Sequence, residues 1–297
     1  MSMCPLAVFM YVAVALFIAG IARMARRYAT MPMHLRWELY PVPHEVGHEH
    51  GGSYLEYVEW WNRKFPKNRL AEISELLKEL LFIVRLYRGR RTVWCFSFPF
   101  HGGVYLLLLW GASLVLLAVS GALIPADLHS AVSAASLALG YLGAAAATFG
   151  IAGLTALRLT RTMRMYTTPL EYFNNTFILV VLVSGFLAAS QDPSFSTAVA
   201  FVRHMLGGPA PELPPLVAAH VILLGLLVIY IPYTKIAHFI GKYFTYHKVL
   251  WDSEPLRIGG AVNEHLNRKI LEALSRHEIT WSAPHIPRGR KWAEVGA

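Results

Sequence analysis

The stretch Ala219-His-Val-Ile-Leu-Leu-Gly-Leu-Leu-Val-Ile-Tyr-Ile-Pro-Tyr-Thr-Lys-Ile-Ala-His238 decides how the rest of the chain is read. It is apolar enough to cross a bilayer, and it carries a histidine at each end, His220 and His238. Eighteen residues separate the two, which on a helix of 3.6 residues per turn is five turns and about 27 Å of rise. A continuous helix would point both imidazoles the same way, one near each face of a hydrocarbon core roughly 30 Å thick. Ionisable side chains inside a span are costly and mark function by default. Two at this spacing describe a helix built to carry two metal centres.

Outward from this segment, the composition agrees. The 297 residues are 55% hydrophobic and only 15% charged, too apolar for an ordinary soluble domain. The expected fold is an all-α integral membrane protein, a bundle of five transmembrane helices: Pro5 to Ile21, His101 to Ile124, Ser130 to Leu157, Tyr172 to Ser190 and Leu216 to Ile240. The first is read as a retained span, because no basic residue precedes its apolar run and Arg23, Arg26 and Arg27 follow it. Lys and Arg number thirteen between spans one and two, three between spans three and four, and ten from Lys235 onward. The opposite loops hold only Arg203, so the N-terminus is placed outside and the C-terminus in the cytoplasm. The net charge of +9 follows from that asymmetry and from anionic lipid, and gives no argument for nucleic acid.

Between the first two spans, residues 23–98 form a cytoplasmic insertion. Its second half predicts an amphipathic helix beginning near Asn68, with Ile73, Leu76, Leu77, Leu80, Leu81 and Val84 on one stripe and Glu72, Glu75, Lys78 and Glu79 opposite. Such a helix lies on the membrane or docks to a partner. The first half contains a literal HExxH, His44-Glu45-Val-Gly-His48, with His50 beside it. The zinc-protease pattern needs a helix, and Pro43, Gly47, Gly51 and Gly52 argue for a polar loop instead, one that faces a partner or holds a metal through His44, His48 and His50. Span three is rich in small residues, including Gly140, Gly143, Ala147, Gly150 and Gly153, which allow close helix approach. Residues 241–297 form a cytoplasmic tail, with one helical stretch near Asn263 to Arg276, suited to draping over a partner.

Cys4 and Cys95 are the only cysteines, too few for a four-thiolate iron–sulfur cluster, and no CxxCH is present for a c-type haem. Electron chemistry would therefore rest on histidine. A b-type haem needs two axial ligands from facing helices at one depth. His101, at the cytoplasmic start of span two, matches His238 at the cytoplasmic end of span five. Gly102 and Gly103 beside it leave room for a flat macrocycle. His220 predicts a second site nearer the outer face. Arg158, Arg161 and Arg164 recur every three residues at the cytoplasmic end of span three, making one basic face that serves either as a positive-inside anchor or as partners for haem propionates.

These residues carry a family resemblance. Ala219 to His238, with its histidine spacing and intervening proline, resembles the last span of the respiratory nitrate reductase gamma subunit, a five-span dihaem cytochrome b. Phe98-Pro-Phe-His-Gly-Gly-Val-Tyr105 is similar to the start of that family's second span, and Thr167-Thr-Pro-Leu-Glu-Tyr-Phe-Asn174 to a further family segment. The Phe-Pro-Phe-His start, the long insertion and the exit Lys242-Tyr-Phe-Thr-Tyr-His247 look more like a branch in sulfate reducers and their relatives, whose cytochrome pairs with a heterodisulfide-reductase-like iron–sulfur subunit. The resemblance implies that residues 99–240 are a four-helix haem-binding core in the cytoplasmic membrane of a prokaryote. It further implies quinone as substrate, a cytoplasmic iron–sulfur partner and further membrane or periplasmic cytochrome subunits. His101 and His238 carry over as ligands of one b haem. The family's outer ligand on span two falls on Gly111, so the outer haem is either absent or completed by another residue, His129 first and His204 second. The expected function is the membrane cytochrome subunit of a quinone-linked oxidoreductase, not a complete enzyme alone. Its rivals are a haem-free membrane anchor with structural histidines and a transporter with protonatable ones.

Overall fold

In the computed structural model, residues 4–30, 58–59, 69–119, 125–244, 261–281 and 288–295 are described. His44, Glu45, His48 and His50 lie outside them. Among the described residues the regular structure is helical, apart from one isolated antiparallel bridge between Glu278 and Lys291. Five helices are long and apolar enough to cross a membrane, making this a multi-pass membrane protein: α1 (Pro5–Thr30), α4 (Arg91–Val119), α5 (Ala126–Leu159), α7 (Pro169–Gln191) and the segment Pro215–Tyr233, which begins with α9 (Pro215–Tyr230). Between α1 and α4 come α2 (Arg69–Phe82) and α3 (Val84–Gly89). The one-turn α6 (Arg161–Arg164) follows α5, and α8 (Ser196–Met205) precedes α9. After α9 come two 3-10 turns, Ile231–Tyr233 and Lys235–Ala237, then α10 (His238–Phe244), α11 (Ala261–Arg276) and α12 (Trp292–Val295).

The chain divides into two compact units, Met1–Arg23 with Leu77–His238 and Met24–Leu76 with Phe239–Ala297. In the first unit α5 packs along both α4 and α7, and α7 packs on α9. The small residues of α5 explain its central place. A Cβ at Gly103 of α4 would strike the backbone of Ala147 and the Gly143 carbonyl, and Gly150 faces the Phe100 backbone in the same way. Helices this close exchange backbone contacts that larger residues would prevent. Ser113 of α4 donates its proton to the Trp110 carbonyl at 2.6 Å and so accepts from Ser136 of α5 at 2.8 Å, satisfying two hydroxyls that lipid could not. On the far side Gly225 of α9 accepts Phe9 and Met10 of α1, and Gly20 of α1 accepts Pro232.

In the second unit the Tyr28 and Phe244 rings lie 5.8 Å apart. There α11 packs on α12, and the residue between them, Ile279, is buried with its N–H on the Arg290 carbonyl at 2.8 Å.

Three expectations are corrected. Residues 220–238 are not one straight helix: α9 ends at Tyr230, and Thr234 is extended (φ −133°, ψ 173°). Pro232 has no N–H to give the ladder and its ring crowds the preceding turn, so the five-turn geometry fails. The second span begins at Arg91, ten residues before His101, and Pro99 sits inside it. The amphipathic stripe also ends early, because Ile83 takes a left-handed conformation (φ 51°) and starts a new helix at Val84. At that corner Glu79 is 7% exposed and its carboxylate accepts the Arg85 N–H at 2.9 Å, while Ile73, Leu77, Leu80 and Leu81 of the apolar stripe are exposed.

Candidate functional site

His101 sits in the third turn of α4, and His238 opens α10 just beyond the broken end of α9. Their ring centroids are 6.0 Å apart with planes at 79°. The sequence placed both at one depth; the structure places them side by side.

The hydrogen bonds of each ring fix its tautomer. A carbonyl oxygen only accepts, so an imidazole nitrogen facing one must carry the proton. His101 Nδ1 donates to the Ser97 carbonyl at 2.7 Å, and His238 Nδ1 donates to the Lys235 carbonyl at 3.1 Å. In both rings the lone pair is thus on Nε2, the tautomer of a metal-ligating histidine whose other nitrogen is held by a backbone carbonyl. Among the described residues no cluster of three or more His, Cys, Asp or Glu could hold a metal ion. What stands here is a pair, the donor set of a bis-histidine haem.

The separation fits that group. Two imidazoles sharing one metal, each bonded at about 2.0–2.1 Å, would have ring centres about 6 Å apart, of the order seen between His101 and His238. Gly102 faces open space, whereas Gly103 is filled by α5, so only the first glycine leaves room beside His101.

One face of α4 carries Trp94, Phe98, His101 and Tyr105, at helical spacings of four, three and four. The last turn of α2 is clamped onto it. Trp94 Nε1 donates to the Phe82 carbonyl and Tyr105 Oη to the Leu80 carbonyl, both at 2.7 Å. Those carbonyls are orphans of the helix end, and the two donors flank His101 in sequence. Trp94 and Phe98 stack at 4.9 Å. The last turn of α2 is therefore tied to α4.

Beside His238, α7 begins with a capping box. Thr168 is the N-cap, Pro169 follows, and Glu171 accepts the Thr168 N–H at 2.8 Å. The other Glu171 oxygen lies 3.6 Å from Arg158 of α5 and 3.5 Å from Lys235. Close by, Tyr230 Oη donates to the buried Asn174 at 2.7 Å, tying α9 to α7. The three arginines do not share one helical face, because Thr160 is extended and separates Arg158 on α5 from Arg161 and Arg164 on α6.

At the other end His220 turns toward α7. Ser184 donates its only proton to the Val181 carbonyl at 2.7 Å, so it accepts from His220 Nδ1 at 2.9 Å, and again Nε2 keeps the lone pair. The ring lies against Gly185. His204 differs: Nδ1 donates to the Gly208 carbonyl at 2.9 Å and Nε2 accepts the Cys4 N–H at 3.2 Å. Both nitrogens are used and the residue is 3% exposed, which makes it a tether for the start of α1. His129 is exposed in the first turn of α5. Gly111 faces open space. Neither His129 nor His204 is brought to His220 as His238 is brought to His101. Ser184 was beyond sequence reasoning, since its pairing depends on helix rotation. Glu171 was readable from Thr168-Pro-Leu-Glu171 as a cap, though not as a neighbour of Lys235.

Compared with family models, curated proteins and solved structures, the chain matches none.

Proposed function

We propose that the chain is the membrane cytochrome b subunit of a quinone-linked respiratory oxidoreductase, passing electrons between a membrane quinone or quinol and a cytoplasmic iron–sulfur subunit. The observation that carries this reading is the His101–His238 pair, 6.0 Å apart and each with Nδ1 committed to a carbonyl. A b haem held there would supply one-electron transfer at that depth. The protein's own part is to fix two imidazoles side by side in the ligating tautomer.

In this reading the N-terminus is outside, the His101 end is cytoplasmic and the membrane is a prokaryotic inner membrane, as the Lys and Arg distribution and the resemblance argue. One b haem per chain is proposed. His220 keeps the same tautomer, so it is the residue a second haem would use, with His129 the candidate for its other ligand, since His204 has both nitrogens on backbone groups. Both cysteines are free, which leaves iron–sulfur chemistry to a partner resembling the heterodisulfide-reductase subunit. The α2–α3 corner and the tail are the proposed seats for it. Quinone oxidation or reduction is placed between helices, its protons exchanged with the nearer aqueous side.

Purification in detergent and a dithionite-reduced minus oxidised spectrum test this directly. The expected result is the α-band of a b haem. A colourless protein would overturn the reading in favour of a haem-free anchor or transporter.

A further inference from the structure

We propose that Glu171 is a positioning residue for His238, acting through Lys235, and that it thereby sets the reduction potential of the haem at His101 and His238. The inference rests on the cytochrome reading above. Pro232 interrupts the helical ladder, so His238 is not carried on the rigid end of a span. The turn before it is held locally by the Thr234 hydroxyl, which accepts the Ile236 N–H at 3.3 Å, and by the Ala237 N–H on the Thr234 carbonyl at 3.2 Å. The lateral tie is Glu171. Its carboxylate is fixed at the start of α7 by the Thr168 N–H at 2.8 Å and reaches Lys235 Nζ at 3.5 Å. Lys235 is also the residue whose carbonyl receives the His238 Nδ1 proton.

The ion pair adds little stability, since the Lys235 side chain is 67% exposed. Its effect is geometric. A ligating histidine whose Nδ1–H is held by a carbonyl is a more basic ligand, and a more basic axial ligand favours the oxidised iron. Loosening the turn weakens that hydrogen bond, and the potential rises.

The test compares Glu171→Gln with Lys235→Gln in the full haem-loaded chain by potentiometric titration. Gln keeps an oxygen for the Thr168 cap and removes the ion pair. Positioning predicts that both variants move the inner-haem potential in the same, positive direction, and that the double variant moves it no further than either single. Through-space charge alone predicts opposite signs, because one variant removes a negative charge and the other a positive one. Opposite shifts, or none, overturn the inference while the wild-type α-band keeps the cytochrome reading standing. Absence of the band in the wild type overturns that reading itself.

Discussion

At one end of the bundle His101 and His238 stand 6.0 Å apart, while at the other His220 leans on Ser184 and the nearby His204 spends both nitrogens on backbone groups. All four rings have Nδ1 as donor. The difference lies in what Nε2 meets, and that is decided by which backbone carries the ring. At the His238 end Pro232 releases the chain from α9 and lets the imidazole swing toward α4. At the His220 end the helix is intact, so its ring must point where the helix turns it, which is toward α7. A histidine at the right depth is a ligand only when the backbone also turns it toward a mate.

Substitutions at the two ends sharpen the contrast. The largest effect is expected at Gly103, where α4 and α5 touch backbone to backbone. Gly103→Val should cost about 3 kcal/mol or more and leave little folded protein, seen as loss of the monodisperse peak in detergent. Next, His204→Ala leaves the Cys4 N–H and the Gly208 carbonyl without partners and should cost about 1–3 kcal/mol. Thermal denaturation should show that loss with the inner α-band unchanged, and a lost band would mean that the two ends are coupled. Tyr230→Phe removes one bond between α9 and α7 near His238 and should cost about 0.6 kcal/mol. Here a shift in the band, not in the melting temperature, is the expected signature. Smallest of all, Gly102→Ala should be nearly neutral in stability because open space receives the methyl group.

Much of the fold was legible because a membrane span is a one-dimensional signal. Runs such as Leu106 to Leu109 and Val221 to Leu224 announce themselves by length and apolarity. Depth is equally one-dimensional, which is why His101 and His238 could be matched. Rotation is not. Whether His220 faces α4 or α7 depends on the packing of Gly185 and Ser184 against α9, and no spacing within α9 encodes it. The break after Tyr230 was visible as Pro232, but spans tolerate proline when neighbours satisfy the freed groups, so the residue alone did not decide between kink and rupture. The corner at Ile83 was hidden for a different reason. A β-branched residue at positive φ is the least expected place to turn a chain, and once it turns, the Arg85 N–H reaches the Glu79 carboxylate.

Haem stoichiometry in three variants, His101→Ala, His238→Ala and the double, tests the central claim most directly. If the two histidines ligate one iron, each single variant loses the same haem and the double variant loses no more than either single. If the singles lose different haems, or the double falls below both, the pairing of His101 with His238 is wrong.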